Sequence, residues 1–362
     1  MNNWPLVFDA HLDLSMNAME WNRDLRLPLV ELRRRELDMR DRLDRTRGVV
    51  SLPEMRRGRI GLCVATQIAR FSGRFSKLPG WSSPEQAWAQ TQGQLAWYRA
   101  MEEQDEIVQL RTWPQVQAHA ELWRRAQPDA TARLPIGYLL SLEGADSILS
   151  WRHLEKSRED GLIALGPVHY GPGLYGHGTD DEGPLTPKGQ ELLREMQRLG
   201  IILDATHLCD ESFWDALDRY SGPVWASHHN CRALANWNRQ LTDEQIKALV
   251  DRGAVIGMAF DAIMMVHNWI HKRSTAQEFG LKMVRIIDHI DHICQIAGNA
   301  RHVGIGTDLD GGYGNEQTPM DLNSIADITS LAEPLAQRGY SPEDIDNIFS
   351  GNFLRFLCEH LK

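Results

Sequence analysis

Phe8-Asp9-Ala10-His11-Leu12-Asp13 closes a short apolar run near the start of the chain and ends it on an imidazole and a carboxylate two residues apart. Side chains alternate along a strand, so His11 and Asp13 share one face while Leu12 takes the other. A single run of this kind carries little weight, but similar runs recur. Residues 6–10, 60–66, 136–142, 162–168, 201–205, 224–227, 254–260 and 302–307 are apolar stretches of strand length bounded by Gly, Pro or polar clusters. Between them lie longer amphipathic stretches such as 187–199, 242–252 and 278–297, with apolar residues three and four apart. Thr242 with Gln245 has the form of a capping box, and Pro187 suits a first helical turn. Eight strands alternating with helices predict an α/β fold, a (β/α)8 TIM-type barrel with extra outer helices, in which residues 1–362 form one domain.

The extra helices are placed between the second and third strands. The stretch from Leu78 to Arg125 carries Trp81, Trp88, Trp97, Trp113 and Trp123 and is too long for one crossover. It predicts two helices outside the barrel, with the Trp rings packed between outer helices rather than forming a cofactor box.

Composition narrows the partners. An apolar fraction of 42% and a charged fraction of 24% are ordinary for a globular protein. The formal charge of −10 argues against nucleic acid, which requires a clustered basic surface. The run Arg33, Arg34, Arg35 sits among Glu31, Glu36 and Asp38 and reads as a solvated, ion-paired helix face. No stretch has the roughly 18 consecutive apolar residues of a membrane span, and the first residues lead directly into a strand without the pattern of a secretory signal. Cys63, Cys209, Cys231, Cys294 and Cys358 are odd in number and scattered, which suits a reduced, cytoplasmic protein with cysteines as small buried hydrophobes.

The chemistry gathers at the strand ends. The third run finishes Ser141-Leu142-Glu143-Gly144, the fifth Asp204-Ala205-Thr206-His207, and the sixth Ala226-Ser227-His228-His229. With His11 and Asp13, these supply Glu143, His207 and His228 as five donors of the kind that zinc and similar divalent ions accept. That is too many for one tetrahedral site, and Glu143 bridging two ions accounts for the excess. The eighth run exposes Asp308 at the same rim, as a proton carrier, whereas Asp310 reads as a cap on the following turn. Each of these signals alone is weak, since a lone His-x-Asp or an acid before a Gly is common. Their joint position, where barrel enzymes carry their active sites, is the argument.

Those residues, in that order, resemble the renal (membrane) dipeptidase family, metallopeptidase family M19 of the amidohydrolase-like superfamily, from Asp9 to the C-terminus. The resemblance is strengthened by Leu52-Pro53-Glu54-Met55-Arg56-Arg57-Gly58, by Gly183-Pro184-Leu185-Thr186-Pro187 with Gly189, by the stretch from Leu199 to His207, and by Gly351-Asn352-Phe353-Leu354-Arg355. It implies a metal-dependent dipeptidase with two divalent ions, zinc the expected metal. His11 and Asp13 would bind one ion, Glu143 would bridge, and His207 and His228 would bind the other, with His228 preferred to His229 because Ser227-His228 matches the family's Ser-His. The resemblance places His169 against the substrate carbonyl oxygen and Arg239 on the substrate's terminal carboxylate, and it suggests a homodimer. Hydrolysis would then proceed by a metal-bridging hydroxide, with Asp308 relaying its proton to the leaving amine and Arg239 gripping the carboxylate in a bidentate pair. The substrates would be small dipeptides, those with a D-residue at the C-terminus included, with no nucleic acid or membrane partner.

The chain departs from the family in places. Leu12 replaces an Asn at the outward position, Leu309 a Phe, and Ala259-Phe260-Asp261 stands where relatives often carry Asn-Phe-Tyr. Asp261 puts a carboxylate near the pocket and points to a preference for basic or small neutral first residues; capping a helix or pairing with His267 is its alternative role. Two other readings compete on the same barrel: another metal hydrolase, such as a deaminase or lactonase, and a catalytically silent binding protein.

Overall fold

In the computed structural model, which describes residues 5–72 and 79–361, strands form at Val7–Leu12, Ile60–Ile68, Ile136–Glu143, Leu162–Gly166, Ile202–Asp204, Val224–Trp225, Ile256–Met258 and Val303–Ile305. These are the eight apolar runs, and every residue in them but Ile68 is buried, as a parallel sheet covered on both faces requires. Each strand pairs in parallel with the next from first to sixth, the first also pairs with the eighth, and the eighth with the seventh. The ring closes between sixth and seventh through a bridge of Ala226 with Ile256 and a bond from Gly257 N–H to Ala226 O of 2.8 Å. Gly257 and Gly306 make the closure sterically feasible: a Cβ at either would lie 1.9 or 1.8 Å from the Ser227 carbonyl oxygen.

A short strand that the sequence reading does not contain, Ile107–Gln109, pairs with the first residues of the third barrel strand, Ile136 to Tyr138. The fourth strand meets the third only from Leu140 onward, so this piece fills the edge left open. It joins the two outer helices expected from the Trp-rich stretch, Pro84–Glu102 and Trp113–Arg125. Trp123 is fully buried and donates to Pro135 O, and Trp88, Trp97 and Trp113 pack against the core. Trp81 departs from the expectation by lining the barrel mouth, and Leu78 lies outside the described residues.

The helix at Pro187–Leu199 has the expected bounds, capped by Thr186 accepting from Gly189 N–H. The 242–252 stretch forms a helix over Asp243–Asp251 with the Thr242–Gln245 capping box in place. The 278–297 expectation is corrected: the chain forms Ala276–Phe279, turns at Gly280 with φ 56°, and restarts as Ile286–Ala297 after a 3-10 turn. The periodic apolar pattern runs across this break, but Gly280 in the left-handed region ends the first helix. Arg34 and Arg35 pair with Glu31, while Arg33 instead donates to the carbonyls of Gly48 and Asn323. Cys63, Cys209 and Cys231 are buried, Cys294 is partly buried, and Cys358 is exposed, contrary to the uniform burial expected.

Candidate active site

Most of the expected site residues lie just past their strands, on the turns that follow. The first strand stops at Leu12 and Asp13 opens the next segment; His207, His228 and Asp308 each sit three residues beyond a strand end. Two of these turns are conformationally unusual. His207 and Asp308 have φ of 69° and 57°, left-handed values that Asp and His accept more readily than most residues and that concentrate at functional sites.

Buried carboxylates fix these ends. Asp9 accepts from His11 N–H at 3.2 Å, Thr307 N–H at 2.9 Å and Thr307 Oγ1 at 2.6 Å, tying the first strand to the eighth. Asp204 accepts from Thr206 N–H and Ser227 N–H, both at 3.1 Å, tying the fifth to the sixth. Asp310, expected to be a cap, accepts from the N–H groups of Val49 and Val50. Sequence reasoning missed Asp9 and Asp204 in this role, although each precedes a site histidine by two or three residues.

At the centre stands Glu143. Its Oε1 lies 2.9 Å from His207 Nε2 and 3.4 Å from His228 Nε2, and its Oε2 lies 3.6 Å from His11 Nε2. His11 Nε2 is 3.8 Å from both Asp13 Oδ2 and Asp308 Oδ1. Three sets of side chains therefore have donor atoms within reach of one ion: His11 with Asp13 and Glu143; Glu143 with His207 and His228; and His11 with His228 and Asp308. The remaining ring nitrogens are engaged from behind, His207 Nδ1 by Thr179 Oγ1 at 2.9 Å and His228 Nδ1 by Ser227 Oγ at 3.0 Å, which aims both Nε2 atoms inward. His229 is not part of this cluster.

These residues fit a cation. Among the described residues His11 Nε2 and Asp13 Oδ1 are buried without hydrogen-bond partners, and His207 Nε2 faces His228 Nε2 at 3.2 Å, where two acceptors gain nothing from each other. Burial drives the His207 and His228 imidazoles well below their usual range, toward the neutral form that ligates. Burial acts the same way on His11, but Glu143, Asp13 and Asp308 outweigh it and push His11 up to about 10. Desolvation pushes the carboxyl of Glu143 up to about 7 and that of Asp308 well above the carboxylate range. Carboxyls raised first by burial and further by one another's charge call for compensating positive charge.

Asp13, Glu143, His207 and Asp308 of this cluster line a cavity of about 450 Å³, together with His169, Arg239 and Asp261. His169 Nε2 is 4.0 Å from Glu143 Oε1. Arg239 is buried; its Nη2 donates to His228 O at 3.0 Å, while Nε and Nη1 have no partner among the described residues. Asp261 Oδ1 accepts from Ile263 N–H and Gln317 Nε2, so it does cap a short helix, yet it also lines the cavity, where burial raises it to about 7. His267 Nδ1, the other partner weighed for it, accepts from Asn236 N–H. Arg70 and Tyr170, absent from the sequence reading, complete this part of the wall. Arg70 follows the second strand as the other site residues follow theirs, and that position was the available signal.

A family model described as membrane dipeptidase, peptidase family M19, matches residues 2–360. The chain is 30% identical over 214 residues to a Klebsiella pneumoniae protein described as uncharacterized and located in the pqqA 5′ region, covering 57% of this chain and 75% of that one. It is 29% identical to dipeptidase tcpJ of Claviceps purpurea, where the alignment covers 55% of this chain but only 41% of the relative. Among solved structures, dipeptidase AC, a metallopeptidase of family M19, superposes with a TM-score of 0.78 at 24% identity over 99% of both chains. A Rhodobacter sphaeroides metallopeptidase liganded with a phosphinate mimic of L-Ala-D-Ala gives 0.77 at 23% identity, over 99% of this chain and all of that one. Both likenesses concern the barrel fold.

Proposed function

Because the chain belongs to the membrane dipeptidase family, peptidase family M19, we propose that it is a dipeptidase that hydrolyses the peptide bond of dipeptides at two divalent ions, zinc the expected metal. The observation that carries this reading is Glu143, whose two oxygens face separate groups of ligands, His207 with His228 on one side and His11 on the other. His11, Asp13 and Glu143 would hold one ion, and Glu143, His207 and His228 the second. Such a pair supplies an activated water and an electrophile for the carbonyl oxygen.

The chain's own residues account for the rest. Arg239 lines the cavity, buried, and its Nε and Nη1 are without partners among the described residues, which leaves spare donors to grip a substrate carboxylate and favours a dipeptide over the substrates of a deaminase or lactonase. That grip sets the scissile bond over Glu143. His169 donates to the carbonyl oxygen as charge develops there in this scheme. Asp308 takes the proton released at attack and returns it to the leaving amine. The decisive experiment is hydrolysis of a dipeptide library containing both C-terminal stereoisomers, with C-terminal amides as controls. Cleavage of free dipeptides and not of amides is expected, and cleavage of D-terminal members would extend the activity to them. A library left wholly intact by metal-loaded protein would refute the reading.

Elemental analysis of the loaded protein should find two divalent ions per chain; a maximum of one would remove Glu143 as a bridge. We take the protein to be a cytoplasmic homodimer, checked by sedimentation and fractionation; no helix among the described residues is long and apolar enough to cross a membrane.

Asp261 extends the proposal to selectivity. Its cap uses Oδ1 alone, and above the pH of about 7 to which burial raises this carboxyl a negative charge stands on the cavity wall, unfavourable to an acidic first residue. Wild-type enzyme should prefer basic or small neutral first residues, and Asp261→Asn, which keeps the capping oxygen, should narrow the gap by about tenfold, equivalent to ~1.4 kcal/mol. An unchanged ranking would confine Asp261 to its cap.

A further inference from the structure

Arg70 is fixed at both its backbone and its side chain. Its carbonyl accepts from Trp81 N–H at 2.8 Å, the next residue's N–H donates to Asp146 Oδ2 at 3.2 Å, and Ser72 N–H donates to Trp81 O at 2.9 Å. The guanidinium extends over the Tyr170 ring, 5.8 Å from its centroid, and brings Nη2 to 2.5 Å from His169 Nδ1. A guanidinium has five N–H donors and no acceptor. At that contact the imidazole nitrogen can only accept, so Nδ1 carries no proton and the ring's proton sits on Nε2. Nε2 is the atom turned toward Glu143 Oε1. With the opposite tautomer, two N–H groups would meet head-on at Nδ1 and a bare lone pair would face the cavity.

We propose that Arg70 is a positioning residue that fixes His169 as the Nε2–H tautomer, so that the ring presents a donor to the substrate's carbonyl oxygen. This rests on the reading of His169 given above, but the tautomer itself can be measured without turnover. Arg70 does not touch the substrate in this scheme; it acts through one imidazole. Its effect therefore belongs to the step in which negative charge develops on the carbonyl oxygen, and it should appear in kcat more than in KM.

The test combines a spectroscopic and a kinetic readout. In protein labelled with ¹⁵N-histidine, the His169 resonances are identified by their loss in His169→Gln. Wild type should show a protonated Nε2 and an unprotonated Nδ1, and Arg70→Met should mix or reverse the two. A wild-type ring protonated on Nδ1, or a tautomer indifferent to Arg70→Met, overturns the proposal whatever the activity. In kinetics, Arg70→Met should lower kcat about 10- to 100-fold, the size of one charge-assisted hydrogen bond, with KM little changed. Arg70→Lys, still a donor, should recover much of the loss. In the His169→Gln background, Arg70→Met should cost little more, because its target is gone. Full multiplication of the two losses would show that Arg70 acts independently of His169 and would overturn the proposal. If His169→Gln alone leaves kcat intact while the tautomer follows Arg70, it is the role given to His169 in hydrolysis that fails.

Discussion

Asp308→Asn should fold normally, retain its metal and lose about 10²- to 10⁴-fold in turnover, the usual contribution of a general acid–base group. The substitution is nearly isosteric, and Asn tolerates the left-handed φ of 57° at this position as well as Asp does, so the turn after the eighth strand has no reason to rearrange. What changes is the ability to take a proton and return it. The structure gives this variant a second use. Asp308 Oδ1 is 3.8 Å from His11 Nε2, and Asp308 forms one of the three possible ligand sets with His11 and His228. A ligand and a proton carrier predict different metal contents. Turnover lost with two ions retained identifies the carrier; turnover lost in step with one ion identifies a ligand. Near-normal turnover removes Asp308 from the chemistry.

The barrel was legible because each of its strands is buried on both faces and so reads as an uninterrupted apolar run. The Ile107–Gln109 strand escaped notice because three residues on the edge of the third strand generate no periodicity. The break at Gly280 was visible as a glycine, but the apolar spacing that continues past it favoured one helix over two. At the site, the candidate ligands were legible from their position at or just past a strand end, since chemistry in this fold collects there. Their supports were not. Asp9 and Asp204 work by binding the backbone of a neighbouring strand, Thr307 in one case and Ser227 in the other, and such pairing exists only once the ring has closed. Trp81 was assigned to the outer packing by its company of tryptophans, whereas the backbone pairing of residues 70–72 with Trp81 brings it to the mouth.

Glu143→Gln should weaken both metal sites together and reduce activity at ordinary metal concentrations to a small residue. Glu143 is buried, and both of its oxygens are committed: Oε1 to His207 and His228, Oε2 to His11. The amide preserves the shape and costs the fold little. It removes a full negative charge from a position that would adjoin two dications, and it turns an N–H₂ toward imidazole nitrogens that would otherwise be ligands. At an effective dielectric near 20, a pair of unit charges about 4 Å apart interacts by ~4 kcal/mol, so even a strongly damped effect leaves a loss of about 100-fold in affinity at each site. Asp13→Asn provides the contrast, since Asp13 approaches only the His11 side and should weaken one site alone. Competition titration with a chromophoric chelator separates the cases, and elemental analysis checks the end points. If Glu143→Gln leaves one ion bound at wild-type affinity, the two groups of ligands do not share this carboxylate.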